Sequence, residues 1–138
     1  MKQNVDSIQL QELLREPGHL CTLSTVTPDG TPNSAVFGSV RLLNNQIILG
    51  LGHNQTLRNL HHNPHAMLMV VLPGASVFQF RGMRLYLHCS AIETNGPLLD
   101  EIRAEAQVMA GRTAAKMLQV ALKFEIISSR PLLDMGSS

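Results

Sequence analysis

From His19 to Thr27 the chain alternates, with Leu20, Thr22, Ser24 and Val26 on one face, and this period of two predicts a β-strand. Pro28-Asp29-Gly30-Thr31 predicts a tight turn after it, since proline presets one dihedral and glycine accepts positive φ. A second strand is expected over Asn33 to Leu43, a turn at Asn44-Asn45, and a third strand over Gln46 to Leu51. Three strands joined by two short turns make an antiparallel meander. Upstream, Val5 to Glu16 carries Ile8, Leu10, Leu13 and Leu14 on a loose apolar face, with Ser7 to cap the helix and Pro17-Gly18 to stop it.

Beyond Leu51 the period changes. Leu57 and Leu60 stand three apart, as in a short helix, and Asn63-Pro64 ends it because the residue before proline resists helical dihedrals. Ala66 to Leu72 is a continuous apolar run of strand length and reads as a central strand. Pro73-Gly74-Ala75 opens a less regular stretch before strand character returns over Met83 to Glu93. Thr94-Asn95-Gly96-Pro97 then turns the chain into a helix over Leu98 to Met109. Its packing face is Leu98, Ile102, Ala106 and Met109, and Gly111 breaks or caps it. Leu122 to Ser129 is the last strand. About six strands, mostly sequential, with two or three short helices predict a mainly β protein, an antiparallel barrel whose closure removes exposed edges. No repeat, linker or low-complexity segment interrupts it, so residues 1–138 read as one domain.

Composition narrows the choice of partners. Hydrophobic residues make up 44% of the 138 and charged ones 15%, enough for one core and too apolar for disorder. A formal net charge of +1 gives no field for a nucleic-acid backbone, so nucleic acid is not an expected partner. No apolar run approaches the ~20 residues of a bilayer span, and Met1 to Leu10 lacks the apolar centre of a signal peptide. A cytoplasmic protein with no membrane partner is expected. Cys21 and Cys89 fall in strand patterns outside any paired-cysteine motif and read as free thiols packed as small core residues. His61, His62 and His65 straddle Pro64, so they need not converge, and no metal site is expected.

Candidate chemistry concentrates where the third strand enters the short helix, Leu49-Gly50-Leu51-Gly52-His53-Asn54-Gln55-Thr56. Two glycines reduce bulk before a helix start, whose unpaired N–H groups and partial positive charge suit a phosphate. Gln55 and Thr56 can add side-chain hydrogen bonds, and His53 or Arg58 charge. Asn54 as a plain cap and the glycines as turn residues account for the same letters. Arg81 and Arg84 stand either in a solvated loop or where a second subunit brings them to a ligand. No Ser-His-Asp, Cys-His or paired-carboxylate arrangement stands out, so no catalytic side chain is nominated.

From Gly18 to Leu72 the chain resembles the FMN-binding split-barrel family of the pyridoxamine-phosphate-oxidase type. The residues that carry the resemblance are the strand His19–Thr27, the Pro-Asp-Gly-Thr-Pro turn, the strand Ser34–Arg41, and Ile48–Gly52 leading into Thr56-Leu57-Arg58-Asn59-Leu60-His61-His62-Asn63-Pro64. Cys89-Ser90-Ala91-Ile92-Glu93 with Gly96-Pro97 is similar to the smallest bacterial members of this fold. The resemblance implies a six-stranded split β-barrel, a homodimer, FMN as cofactor and a flavin-dependent oxidoreductase or electron carrier. It places Ser34, Ala35, Val36 and Phe37 along the flavin ring, Leu49 and Gly50 against ring and ribityl chain, and Asn54, Gln55 and Thr56 on the phosphate. Many members carry Lys where this chain has Thr56, and the smallest carry Thr.

The family's vitamin-forming oxidases grip substrate with a C-terminal Trp and several Arg. This chain has no Trp and ends Ser128-Ser129-Arg130-Pro131-Leu132-Leu133-Asp134-Met135, with no evident cluster of basic residues for a second phosphate. Little oxidation of pyridoxamine phosphate is therefore expected, and flavin reduction by a nicotinamide or an electron carrier is expected instead. A different class stays open beside it: a non-catalytic dimeric barrel holding haem, a deazaflavin or another small ligand.

Overall fold

The β-rich run after Pro17-Gly18 forms β1 (Leu20–Val26), which the Pro28–Thr31 turn returns as β2 (Pro32–Phe37). Gly30 takes a φ of 87° in that turn, and the Asp29 carboxylate accepts from the hydroxyls of Thr27 and Thr31. Those hydrogen bonds, Thr27 first, hold its pKa below the ordinary value. The structure, a computed structural model, describes residues 6–134 and 136. Val5, where the first helix was expected to begin, Met135 in the tail, and the start of the stretch read as lacking a signal peptide lie outside the described residues.

The expected second strand is two. Gly38–Val40 interrupts it, so β2 is followed by a separate β3 (Arg41–Leu43), and the described chain has seven strands where six were expected. Asn44 and Asn45 then turn at φ 52° and 62°, the positive pair that a two-residue hairpin loop needs. β4 (Gln46–Leu51), α2 (Gln55–His62) and β5 (His65–Leu72) follow, then a short 3-10 turn (Val77–Gln79) and β6 (Arg81–Glu93). Arg81 and Arg84 thus belong to a strand, where Arg84 Nε donates to the Pro131 carbonyl at 2.8 Å. The chain closes with α3 (Pro97–Met117) and β7 (Val120–Pro131).

All strand pairs are antiparallel, in the order β2-β1-β5-β6-β7-β4-β3. The two outermost strands, β2 and β3, are consecutive in the chain and joined by three residues. Laid flat, seven strands would set them about 29 Å apart, six spacings of ~4.8 Å. The link from Phe37 to Arg41 spans at most about 14 Å. The sheet must roll until its edges face one another, which is a barrel split along the β2–β3 seam.

Alternation decides what fills it. Leu23, Leu49, Leu68, Leu85 and Phe124, each from a different strand, are fully buried in one core. On β1 the inward face is Cys21, Leu23 and Thr25, while Leu20, on the face grouped from the sequence, is 51% exposed. The outward residues Ile48 and Ala121 make a second, smaller core with Leu99 and Ile102 of α3. On α1 (Ser7–Arg15) Leu10 and Leu13 face the barrel, and the cap is Asp6, not Ser7: its carboxylate accepts from the Gln9 N–H at 2.9 Å.

α3 departs most from expectation. It continues eight residues past Met109, although Gly111 breaks its path at φ 90° and ψ 177°. Leu99, Ile102, Ala106 and Ala115 are its buried residues, whereas Met109 is 77% exposed and no part of the packing face.

Candidate functional site

A groove of about 560 Å³ opens beside the seam. One wall is the end of β2 with the link after it, Val36 to Ser39. The other is the end of β4 and the turn into α2, Gly50 to Asn54, and residues Met117 to Gln119 close the floor. The two glycines of this turn have a reason independent of any ligand. A Cβ on Gly50 would lie 2.7 Å from Cγ2 of Ile102, and one on Gly52 would lie 2.8 Å from the Met117 carbonyl oxygen. Their absence lets the end of α3 approach β4, where Gln119 N–H donates to the Leu51 carbonyl at 3.0 Å.

Four of the nine nominated residues line this groove: Val36, Phe37, Gly50 and Asn54. Ser34 and Ala35 lie further along β2, and Ser34 Oγ hydrogen-bonds Ser24 Oγ at 2.9 Å. Leu49 points the other way, into the barrel core. Gln55 and Thr56 sit in the first turn of α2, with Thr56 buried.

The α2 start is organised by side chains that the groove does not exhaust. Asn54 Oδ1 accepts from the Leu57 N–H at 3.0 Å, a cap that leaves the N–H groups of Gln55 and Thr56 as the helix's orphan donors. Gln55 is held from both sides: its Nε2 donates to Asn59 Oδ1 at 2.7 Å, and its Oε1 accepts from Arg58 at 3.0 Å. Asn59, completely buried, donates in turn to Thr25 Oγ1 at 3.0 Å. Arg58, Gln55, Asn59 and Thr25 thus form one polar chain that fixes the helix start to β1.

A second hollow, about 640 Å³, adjoins the first through His53 and Gln119. Arg103, Arg112 and Lys116 line it. No basic cluster is evident along the chain; these three are separated by nine and four positions and converge only in the fold.

Neither cysteine is activated, as the strand patterns predicted: burial pushes the Cys21 thiol up to about 11, and Cys89 in the same direction. His61 and His62 end α2 exposed, and His65 meets the His88 ring edge-on at 5.3 Å. Among the described residues, no three His, Cys, Asp or Glu side chains come together to hold a metal, and no helix is long and apolar enough to cross a membrane.

The sequence profile of the pyridoxamine 5'-phosphate oxidase family matches residues 7–131. The chain belongs to this family. As expected of a pyridoxamine 5'-phosphate oxidase family member, its fold recurs among solved structures. An FMN-binding protein from Syntrophomonas wolfei subsp. wolfei superposes with a TM-score of 0.77 at 24% identity, over 91% of this chain and 84% of that one. HutZ, a haem storage protein from Vibrio cholerae, gives 0.65 at 18% over 97% and 93%. An F420 reductase gives 0.69 at 18% over 87% and 94%. At these identities the likeness is one of fold. No curated protein sequence matches the chain.

Proposed function

We propose that this family member is a homodimeric FMN-binding redox protein, with the flavin held in the groove between β2 and the β4–α2 turn. The observation that carries the reading is the juxtaposition in one groove of an apolar wall, Val36 and Phe37, with Asn54, the cap of a helix whose next two N–H groups lie just behind the lining. Its volume falls within the roughly 300–1,000 Å³ of ordinary small-molecule sites. The residues present fit the group. Val36, Phe37 and Gly50 would flank a flat ring. The N–H groups of Gln55 and Thr56, with the Thr56 hydroxyl, would hold a phosphate. Asn54 and Gln55 would act there through the backbone, since their side chains are already engaged. FMN, when bound, supplies the hydride or electron chemistry. The chain's part is to orient it and keep water away.

A second subunit enters because this groove is open. Val36, at its edge, is 70% exposed, a large apolar surface beside a ligand that must be shielded from solvent. The partner would cover that side.

A non-catalytic barrel holding haem or another small ligand is the second reading, favoured by Thr56 standing where many members place a lysine. A deazaflavin is a near variant of the first, which Thr56 does not separate from FMN. Colour separates the two readings. The visible spectrum of the purified protein should be that of a yellow flavoprotein; red-brown or colourless protein that gains no spectrum on FMN titration overturns the reading. Light scattering should show a dimer carrying one FMN per chain. Thr56→Val keeps the shape and removes the hydroxyl, so FMN binding should weaken by about 1.5–3 kcal/mol while riboflavin binding stays the same.

A further inference from the structure

The second hollow carries a chemistry that the first lacks. The first part of α3 is anchored from below by Leu99 and Ile102, and from β3 by Arg41, which donates to Glu105 at 2.9 Å. On a helix of 3.6 residues per turn, Arg103 and Gln107 share a face. Continued without a break, the same helix would carry Arg112 about 140° and Lys116 about 180° away from Gln107. Gly111 prevents this. Its dihedrals belong to a region essentially reserved for glycine, and they re-aim the chain so that Arg112 and Lys116 line the same hollow as Arg103 and Gln107.

Arg103 is set in place: it is half-buried, and its Nε donates to the Leu118 carbonyl at 2.6 Å. The nearby carboxylates are occupied elsewhere, Glu105 with Arg41 and Glu93 with Lys123 at 3.1 Å. No Asp or Glu lines the hollow, and among the described residues none pairs with Arg103, Arg112 or Lys116. Three cations gathered without a counter-charge repel one another, and an anion relieves that repulsion.

We propose that this hollow binds the phosphate groups of a phosphorylated ligand. Guanidinium groups suit phosphate oxygens through paired N–H donors, and Thr94 and Gln107 add neutral hydrogen-bonding groups. The join at His53 and Gln119 lets such a ligand reach from the hollow into the neighbouring groove. Two sources share this chemistry: the pyrophosphate of a nicotinamide dinucleotide donor, and the phosphate of FMN itself, which would then sit here and not on the α2 start. The site stands without the flavin reading, because anion binding is measured without flavin.

The test is calorimetric titration of the full chain with sodium pyrophosphate at low and moderate salt. Arg112→Gln/Lys116→Gln removes two exposed charges outside both cores, and Arg15→Gln/Arg130→Gln removes two exposed charges from the ends of α1 and β7 as a control. The first variant should weaken pyrophosphate at least about tenfold, the loss of one charge-assisted hydrogen bond, and the control should bind like the parent. Equal weakening in both variants, or no pyrophosphate binding by the parent, overturns the proposal. NADH, FMN and riboflavin titrated against the same proteins then identify the source. A loss confined to NADH assigns the hollow to the donor, and a loss for FMN but not riboflavin assigns it to the flavin phosphate. No loss for any phosphorylated ligand overturns it.

Discussion

Asn59 illustrates what a single letter conceals. In sequence it stands in an Arg-Asn-Leu run next to the candidate phosphate residues, which invites a functional role. In the fold it is completely buried, accepting from Gln55 and donating to Thr25. Replacing it by Ala strands the Thr25 hydroxyl in the core, so Asn59→Ala should cost about 1–3 kcal/mol for the unpaired group, before any cavity effect. Adding Thr25→Val removes the orphan and should recover part of that loss. Urea unfolding of the two variants measures both; a Thr25→Val addition that costs further stability would show that the pair is not the anchor. The cysteines were legible for the opposite reason, since small apolar residues in an alternating strand have one plausible fate. The direction of Leu49 was not: it lies next to Gly50 in sequence, yet the two point to opposite sides of β4, one into the barrel and one toward α3.

Elements were legible wherever one force set them. The Asn44-Asn45 hairpin, the Asn63-Pro64 stop and the apolar β5 run each follow from local chemistry, and each is found where the pattern puts it. The break of the second expected strand at Gly38–Val40 follows from closure of the sheet, a long-range requirement that no short window records. α3 shows the same limit. A reading by period ends the helix near Met109 because Gly111 looks terminal, whereas the chain keeps helical form on both sides of one glycine. Space around Gly111 is free, with nothing within 4 Å of an added Cβ, so Gly111→Ala reports backbone conformation alone. It should destabilise by about 1–3 kcal/mol or force the segment to straighten. Either way pyrophosphate affinity should fall although no charge is lost, and parent-like affinity with parent-like stability would show that the re-aimed turn is not needed.

At the scale of the molecule, what sequence could not supply is convergence. The hollow gathers His53 and Thr94 with residues from 103 to 119, a span that only the completed barrel brings together. This bears on how the protein assembles. The turn from β1 to β2 closes over five residues, while β4 meets β7 only when residue 51 finds residue 120, a separation of 69. At about 0.6 kcal/mol per doubling of loop length, that closure costs roughly 2 kcal/mol more in chain entropy. Pairing of β4 with β7 should therefore come late in folding, and by the same reasoning it should be among the first parts to open in the native state. Native-state hydrogen exchange should show amides of β4 and β7 near Leu51 and Val120 exchanging through smaller openings than those of the β1–β2 hairpin near Val26 and Pro32. Uniform exchange across all four strands would show one cooperative unit instead. Both hollows straddle this late pairing, so a ligand bridging them fastens together two regions that lie far apart along the chain. Occupancy would then slow the opening of the barrel, so that the loaded protein resists a protease for longer than the empty one without any change of shape.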